Sequence, residues 1–347
     1  MARKPSQSQV FDDLLSRYEQ SIADAFRAAI DDLRSAADLQ RVIAALQAND
    51  IEAAITALHL DPAAFNALQD AVAGSYTAGG QAAVASMPAF TSVTGAAMVI
   101  RFDARNLRAE RWLRDHSAEL VTRIVEDQRV AVRQALISGM ARGANPRNVA
   151  LDIVGRLNRA TGRREGGIIG LTSPQERLVE AARTELASTD PALLRNYLDR
   201  ARRDRRFDRS IQKAINDGTP IPADVQARAV QQYENRLLAL RGETVGRTEA
   251  LTSLHAAQQE AYDQAIERGA VSASQVRTVW RSAGDGLVRH THRVLNGESV
   301  AHGEPFVSPS GARLRFPGDR ALGAPAAEVA NCRCHTEKRV DFLANLT

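Results

Sequence analysis

The residues with the clearest chemical potential stand near the end of the sequence, in the stretch EVANCRCHTEK at positions 328–338. This stretch contains both cysteines of the chain, Cys332 and Cys334, separated by a single residue. A disulfide between residues so close in sequence would close a small strained ring, so we do not expect one. In a terminal strand both side chains would instead point to one face, because strand side chains repeat every two residues.

A short polar segment precedes the cysteines and could form a helix that packs beside them. Asp285 could cap this helix, and Asn296 would stand at its end. On such a helix Arg289 and His292 would share a face, while His290 would point elsewhere.

Two thiolates and one imidazole are three of the four ligands that a tetrahedral zinc site requires. The fourth ligand would come from Asp285, His290 or His302. We therefore predict a structural zinc site, with Cys332, Cys334, His292 and Asp285 as its candidate ligands. A second interpretation, in which the cysteines are small buried hydrophobes without metal, stays open. In that case the polar residues form a hydrogen-bonded structural network of Arg247, Glu249, Trp280, Asp285, Arg289, His292 and Asn331.

The sequence contains no G-x-S-x-G, H-E-x-x-H or Walker motif, and no paired acidic motif of the kind found in nucleases. His292 with Asp285, or Cys334 with a histidine, could form a general-base pair, but no further residue completes either one. We predict no enzymatic activity, with metal-dependent catalysis as the weaker alternative.

Helical periodicity dominates the elements that must position these residues, and only residues after Gly269 alternate like strands. The pattern predicts a mainly α protein, with elongated helical N-terminal and middle regions and a small α+β C-terminal domain. Asn145-Pro146, and Thr172 or Ser173 before Pro174, are expected helix starts. The expected divisions are an acidic helical region at 1–72, a Gly/Ala/Ser-rich linker or hinge at 73–102, a helical middle region at 103–224, and the C-terminal domain at 225–347.

Charge and hydropathy indicate the cellular environment that we expect for the protein. Residues 1–100 carry six Lys and Arg against eleven Asp and Glu, and the remainder is net basic. The first 20 residues lack the apolar core of a signal peptide, and every apolar run is shorter than the roughly 20 residues of a membrane span. We therefore expect a chain that begins in a cytoplasm and has no membrane partner.

A basic stretch at residues 200–215, RARRDRRFDRSIQKAI, is expected to form a helical segment. Interleaved aspartates favour a salt-bridged, solvated face, but contact with nucleic acid is an alternative. The candidate nucleic-acid contacts are Arg202, Arg203, Arg205 and Arg206.

Three motifs, taken in order, resemble one known family. They are R-T-E at 247–249, W-x4-D-x3-R-x2-H from Trp280 to His292, and N-C-R-C at 331–334. Over about residues 225–340 the chain resembles the phage Mu protein F-like minor head proteins, also called the phage head morphogenesis domain. Many relatives have His-Pro directly before the asparagine of N-C-R-C, where this chain has Val329-Ala330.

The resemblance implies a minor structural component of a tailed-phage head, located in the virion after assembly in the host cytoplasm. Such proteins associate with the portal or the head interior and assist head assembly, DNA packaging or genome delivery. The expected partners are therefore the portal and other head proteins, with packaged DNA as a further one. The alternative function is a DNA-binding internal head protein that uses the arginine-rich segment. The sequence does not specify a homo-oligomeric state.

Overall fold

A computed structural model describes residues 5–92 and 94–344 of the chain. The expected fold class is confirmed, since the described chain is mainly α-helical with a small α+β region at its C-terminal end. The α-helices are α1 (Gln7–Ala36), α2 (Leu39–Gln47), α3 (Ile51–Thr56), α4 (Asn66–Ser86), α5 (Leu107–Ala141), α6 (Pro146–Val154), α7 (Ser173–Ala187), α8 (Pro191–Asp199), α9 (Asp208–Asp217), α10 (Ala223–Glu267), α11 (His290–Val294) and α12 (Ala326–Val329). Short 3-10 helices cover Pro62–Phe65, Arg205–Phe207 and Ala273–Gln275.

The strands are short, and all of their pairings are antiparallel. They are β1 (Phe90–Thr91), β2 (Ala97–Met98), β3 (Arg156–Leu157), β4 (Arg164–Glu165), β5 (Val276–Arg281), β6 (Ser299–Ala301), β7 (Phe306–Val307), β8 (Arg313–Leu314) and β9 (His335–Val340). The largest sheet has the order β6-β5-β9, and the other strands form two-stranded pairs. Strand β5 is therefore the central strand of the largest sheet.

The chain divides into two compact units that do not follow the boundaries expected at residues 72, 102 and 224. Unit 1 draws its residues from Met1–Ala25, Ala67–Ala118 and Glu243–Thr347, and unit 2 from Phe26–Asn66 and Glu119–Gly242. Helices α1, α5 and α10 each contribute residues to both units. Changes in composition along the sequence therefore do not mark the limits of the compact units.

The segment predicted as a linker is largely regular structure. Residues 73–86 belong to α4, and part of the remainder forms the β1-β2 hairpin, with Val93 outside the described residues. Small residues serve packing here, because a Cβ at Gly79 would lie 3.0 Å from the Leu254 Cα on α10. The prediction of a linker at 73–102 was wrong for its helical part, where glycine allows a close helix approach instead of a hinge.

Other local predictions are confirmed. The helical middle region expected from residue 103 begins with α5, and α6 begins at Pro146 with Asn145 as its N-cap. The Thr172 side chain caps α7 reciprocally with Gln175, forming a capping box. These caps satisfy amide groups that a helix start would otherwise leave without partners.

In unit 2, charged side chains bind the backbone of a glycine-rich segment at residues 166–170. Arg34 donates to the Ile169 carbonyl at 2.8 Å, and burial lowers the pKa of this guanidinium to about 10. The Glu234 carboxylate accepts from the Gly167 amide at 2.7 Å and from Arg183 at 2.6 Å. Residues 166–170 are buried, and these charged side chains fix the path of their backbone.

Unit 1 buries a neutral histidine between α10 and β9. The Leu251 carbonyl accepts from Nδ1 of His255 at 2.9 Å, and the Thr336 amide donates to Nε2 at 3.1 Å. The Phe11 ring packs on the imidazole with centroids 4.4 Å apart. Burial first, and then the nearby His335, lower the pKa of His255 to about 3.

The start of α1 covers the free edge of β9. The Gln7 carboxamide donates to the Lys338 carbonyl at 3.0 Å and accepts from the Lys338 amide at 3.1 Å. Ser8 makes further hydrogen bonds to His335 and Glu337. One side chain therefore replaces the hydrogen bonds of a neighbouring strand, and such protection of an edge limits pairing with other chains.

Candidate metal centre

Two segments that are distant in the sequence bring the cysteines and one histidine together in the interior of unit 1. His292 lies on α11, and Cys332 and Cys334 lie in the extended segment directly before β9. The three residues are at most 1% exposed. Their ligand atoms lie within 4.8 Å of one another. The expected association of the cysteine pair with His292 is therefore present in the structure.

The distances between these atoms match those between the ligands of one tetrahedral metal ion. Nδ1 of His292 lies 3.3 Å from Sγ of Cys332 and 3.7 Å from Sγ of Cys334. Zinc bonds of about 2.3 Å to sulfur and about 2.0 Å to nitrogen, at the tetrahedral angle, place such ligand atoms about 3.5 Å apart. The donor set of two sulfurs and one imidazole nitrogen also suits zinc.

Electrostatics favour one thiolate in this pair. The hydrogen bond from Cys334, together with the adjacent His292, holds the pKa of the Cys332 thiol well below its usual range, although burial opposes this shift. The same hydrogen bond to Cys332, and burial, raise the pKa of Cys334. A cation bound between the sulfurs would favour deprotonation of Cys334 as well, because metals bind thiolates and release protons.

The other ring nitrogen of His292 faces a carboxylate, that of Glu328, which was not among the predicted site residues. Nε2 lies 2.9 Å from Oε2 of Glu328, although the carboxylate stands off the ideal N–H direction. Burial raises the pKa of Glu328, but hydrogen bonds from Ser310 and Thr291 and the adjacent imidazole outweigh it and lower the pKa. Metal-binding histidines commonly pair their second nitrogen with a carboxylate in this way. The signal in the sequence that could have indicated Glu328 was its position, four residues before Cys332.

The local backbone explains why the cysteines precede the strand, where we had expected them to lie within it. Asn331 adopts a left-handed conformation with φ of 57°, which asparagine tolerates better than most residues. Its amide donates to Oγ1 of Thr248 at 3.0 Å, and the Cys332 carbonyl accepts from Nε of Arg247 at 3.1 Å. These bonds occupy backbone groups that a strand would otherwise use, and β9 begins at His335.

Several other residues of the predicted network surround the centre. Arg289 donates to the Ala330 carbonyl. The fully buried Trp280 ring meets the His292 ring edge-on, with centroids 5.0 Å apart. Glu249 departs from the expected grouping, since its carboxylate pairs at 2.6 Å with His116 of α5.

The structure does not bring the proposed fourth ligands into the cluster. Asp285 forms an ion pair with Arg333 at 2.7 Å, and its side chain accepts from the Leu287 amide in a turn, whereas a helix cap was expected. The helix itself begins later, at His290, whose exposed side chain lies outside the cluster. His302 pairs with Asp263 at 2.7 Å. Among residues 5–92 and 94–344, the cluster therefore comprises His292 and the two cysteines only.

The basic segment differs from the expected continuous helix. A 3-10 turn precedes α9, because Asp204 caps the turn through the Arg206 amide. Arg203 pairs with Asp208 at 2.9 Å, and Arg206 pairs with Asp204 at 2.6 Å. Arg202 and Arg205, like Arg206, are exposed. The salt-bridged interpretation thus describes two of the four candidate arginines.

Comparisons of the chain with protein-family models, with curated proteins and with solved structures gave no match. Within the described part of the chain, no helix has the length and apolar character needed to cross a bilayer.

Proposed function

We propose that this protein is a minor head component of a tailed phage, associated with the portal or the head interior, and that it assists head assembly, DNA packaging or genome delivery. The observation that carries the proposal is the convergence of the three family-like motifs on one buried centre. Arg247 of the first motif contacts Cys332 of the third, and His292 of the second contacts both cysteines. Residues far apart in sequence thus form a single structural unit.

Burial of the centre favours a structural role over a catalytic one. His292, Cys332 and Cys334 are at most 1% exposed, so a substrate has no direct access to the candidate ligands. Arg247 and Arg289 each donate a hydrogen bond to a backbone carbonyl beside the centre, and these bonds fix the path of the chain. A clamp that holds the terminal strand suits a head protein that must keep its shape during assembly.

We also propose that this centre binds one structural zinc ion through His292, Cys332 and Cys334. The observed spacing of the donor atoms and the Glu328 carboxylate behind the imidazole support this assignment. The ion would link α11 to the segment before β9 and supply folding free energy to a region with short strands. Zinc measured by elemental analysis in protein purified without chelator tests this part. A content near zero, unchanged after refolding with zinc, would reject it.

Portal or other head proteins are the partners we propose ahead of packaged DNA. Ion pairs with Asp208 and Asp204 reduce the positive charge that Arg203 and Arg206 could offer to phosphates. A portal complex should survive moderate salt, whereas binding to DNA should weaken steeply as salt rises. A steep salt dependence with duplex DNA and no binding to portal would favour the DNA-binding alternative.

Quantitative mass spectrometry of purified particles tests the central proposal. We expect the chain at a few to a few tens of copies per particle, counted against the portal and major capsid proteins. A copy number like that of the major capsid protein would contradict a minor role. Complete absence from particles would contradict a virion component.

A further inference from the structure

A buried lysine on β9 lies against a side-chain amide on α10. Lys338 is 3% exposed, and its Nζ lies 2.6 Å from Oε1 of Gln259 and 2.8 Å from Oγ1 of Thr278. Among the described residues, no carboxylate lies within ion-pair distance of this nitrogen. Burial lowers the pKa of Lys338 to about 7, against a smaller opposing effect of Asp263. The amine is therefore neutral in a large fraction of molecules at mildly alkaline pH.

A histidine and an aspartate complete the surroundings of the amine. Nδ1 of His302 lies 3.4 Å from Nζ of Lys338, and Nε2 of the same ring lies 2.7 Å from Oδ1 of Asp263. That Nε2 is also 2.9 Å from the amide nitrogen of Gln259. Lys338, His302 and Asp263 are thus arranged as nucleophile, base and orienting carboxylate, as in sites that activate a nucleophile. Burial of His302, whose side chain is 4% exposed, keeps water away from the group.

We propose that Lys338 and Gln259 become joined by an intramolecular isopeptide bond. The neutral Nζ attacks Cδ of Gln259, and Nδ1 of His302 accepts a proton from the attacking nitrogen. Asp263 stabilises the resulting imidazolium through Nε2. The C–N bond to the amide nitrogen then breaks, and the Nε2 proton goes to this leaving group, which departs as ammonia. The amine and the carboxamide become a secondary amide, and no oxidant or reductant takes part.

The geometry favours attack because both partners are held on rigid elements. Lys338 and Thr278 are directly opposite each other in the β5-β9 pairing, so the hydroxyl holds Nζ from the sheet side. Gln259 and Asp263 lie one turn apart on α10. Fixed neighbours of this kind have effective concentrations far above those of free reactants. The reaction needs to occur only once per molecule, so even slow chemistry suffices.

The intact mass of the full-length protein tests this inference directly. The protein is purified at about pH 5.5, where the amine is protonated, and is then incubated at about pH 8.5. We expect each molecule to lose the mass of one ammonia, and tryptic digestion to give residues 248–268 joined to residues 334–339. An unchanged mass after days, with trypsin cleaving normally after Lys338, would overturn the proposal.

Variants separate the bond from unspecific loss of ammonia. Lys338→Met and Gln259→Met should both retain the full calculated mass, whereas Gln258→Ala, one position along α10, should still lose ammonia. His302→Gln should slow the mass change at least tenfold while the circular dichroism spectrum stays native. If Lys338→Met lost the same mass as the parent, the loss would come from another site and the assignment would be wrong.

Discussion

Replacement of His255 by glutamine should remove much of the acid sensitivity of unit 1 between pH 6.5 and pH 5. Burial keeps this imidazole neutral and lowers its pKa to about 3. In the unfolded chain the pKa is about 6.5. The unfolded state therefore binds a proton as the pH falls below about 6.5, while the folded state does not. The contribution of His255 to the free energy of unfolding is complete above that pH and decreases as the pH falls toward 3.

The size of the effect follows from the two pKa values. A pH of 5 lies about 1.5 units below the pKa of histidine in the unfolded chain. This difference corresponds to a loss of about 2 kcal/mol in the free energy of unfolding. At pH 8 the glutamine variant should be about 1 to 3 kcal/mol less stable than the parent, because an amide cannot reproduce both hydrogen bonds of the ring, and this difference should shrink by about 2 kcal/mol at pH 5. Its free energy of unfolding should depend less on pH over the same interval.

Tryptophan fluorescence during urea unfolding at pH 8 and pH 5 provides the assay. Both tryptophans of the chain, Trp112 and Trp280, lie in unit 1, so the signal reports that unit. His290→Gln serves as the matched control, because this exposed histidine should leave the pH dependence unchanged. Equal losses of stability in the parent and the His255→Gln variant between pH 8 and pH 5 would refute the reasoning.

Three further predictions concern packing and the metal centre. The double substitution Cys332→Ser, Cys334→Ser should lower the free energy of unfolding of unit 1 by about 2 kcal/mol or more, measured by tryptophan fluorescence, and leave the helices of unit 2 folded; an unchanged midpoint would show that the pair does not clamp the strand. Gly246→Ala should lower the free energy of unfolding in urea by about 1 to 3 kcal/mol, since the new Cβ would meet the Glu19 carbonyl. Gly74→Ala adds only an ordinary contact and should be neutral or stabilising, and equal effects of the two substitutions would contradict this packing argument. Glu328→Gln should weaken zinc binding about 10- to 100-fold in a competition titration with a chromogenic chelator, and an unchanged affinity would exclude a supporting role of this carboxylate.

Local signals in the sequence predicted the helices well. Asn145 before Pro146 and Thr172 with Gln175 act over three residues, and the structure uses each of them as a cap. The α4 segment was misread because glycine lowers helix propensity, while the close contact of Gly79 with Leu254 depends on a residue far along the chain. Periodicity in the sequence alone does not predict such a contact between distant residues.

The candidate site was only partly predictable, because some of its contacts also depend on residues that lie far apart in the sequence. The pairing of the cysteines with His292 follows from residue types and spacing. The role of Glu328 depends on the turn at Asn331 and on the position of α12, which a pattern does not specify. Asp285 failed as a ligand because Arg333, placed between the cysteines, takes its carboxylate.

The covering of β9 by the start of α1 has a consequence for synthesis on the ribosome. Every residue of unit 2 has been made once residue 242 is added, whereas unit 1 requires β9, which begins more than ninety positions later. Unit 2 can therefore fold while the chain is still growing, and the N-terminal turn with Gln7 must wait for residues made more than three hundred positions later. A prematurely terminated chain would retain unit 2 and leave the first helix without its strand, a state that proteases can recognise.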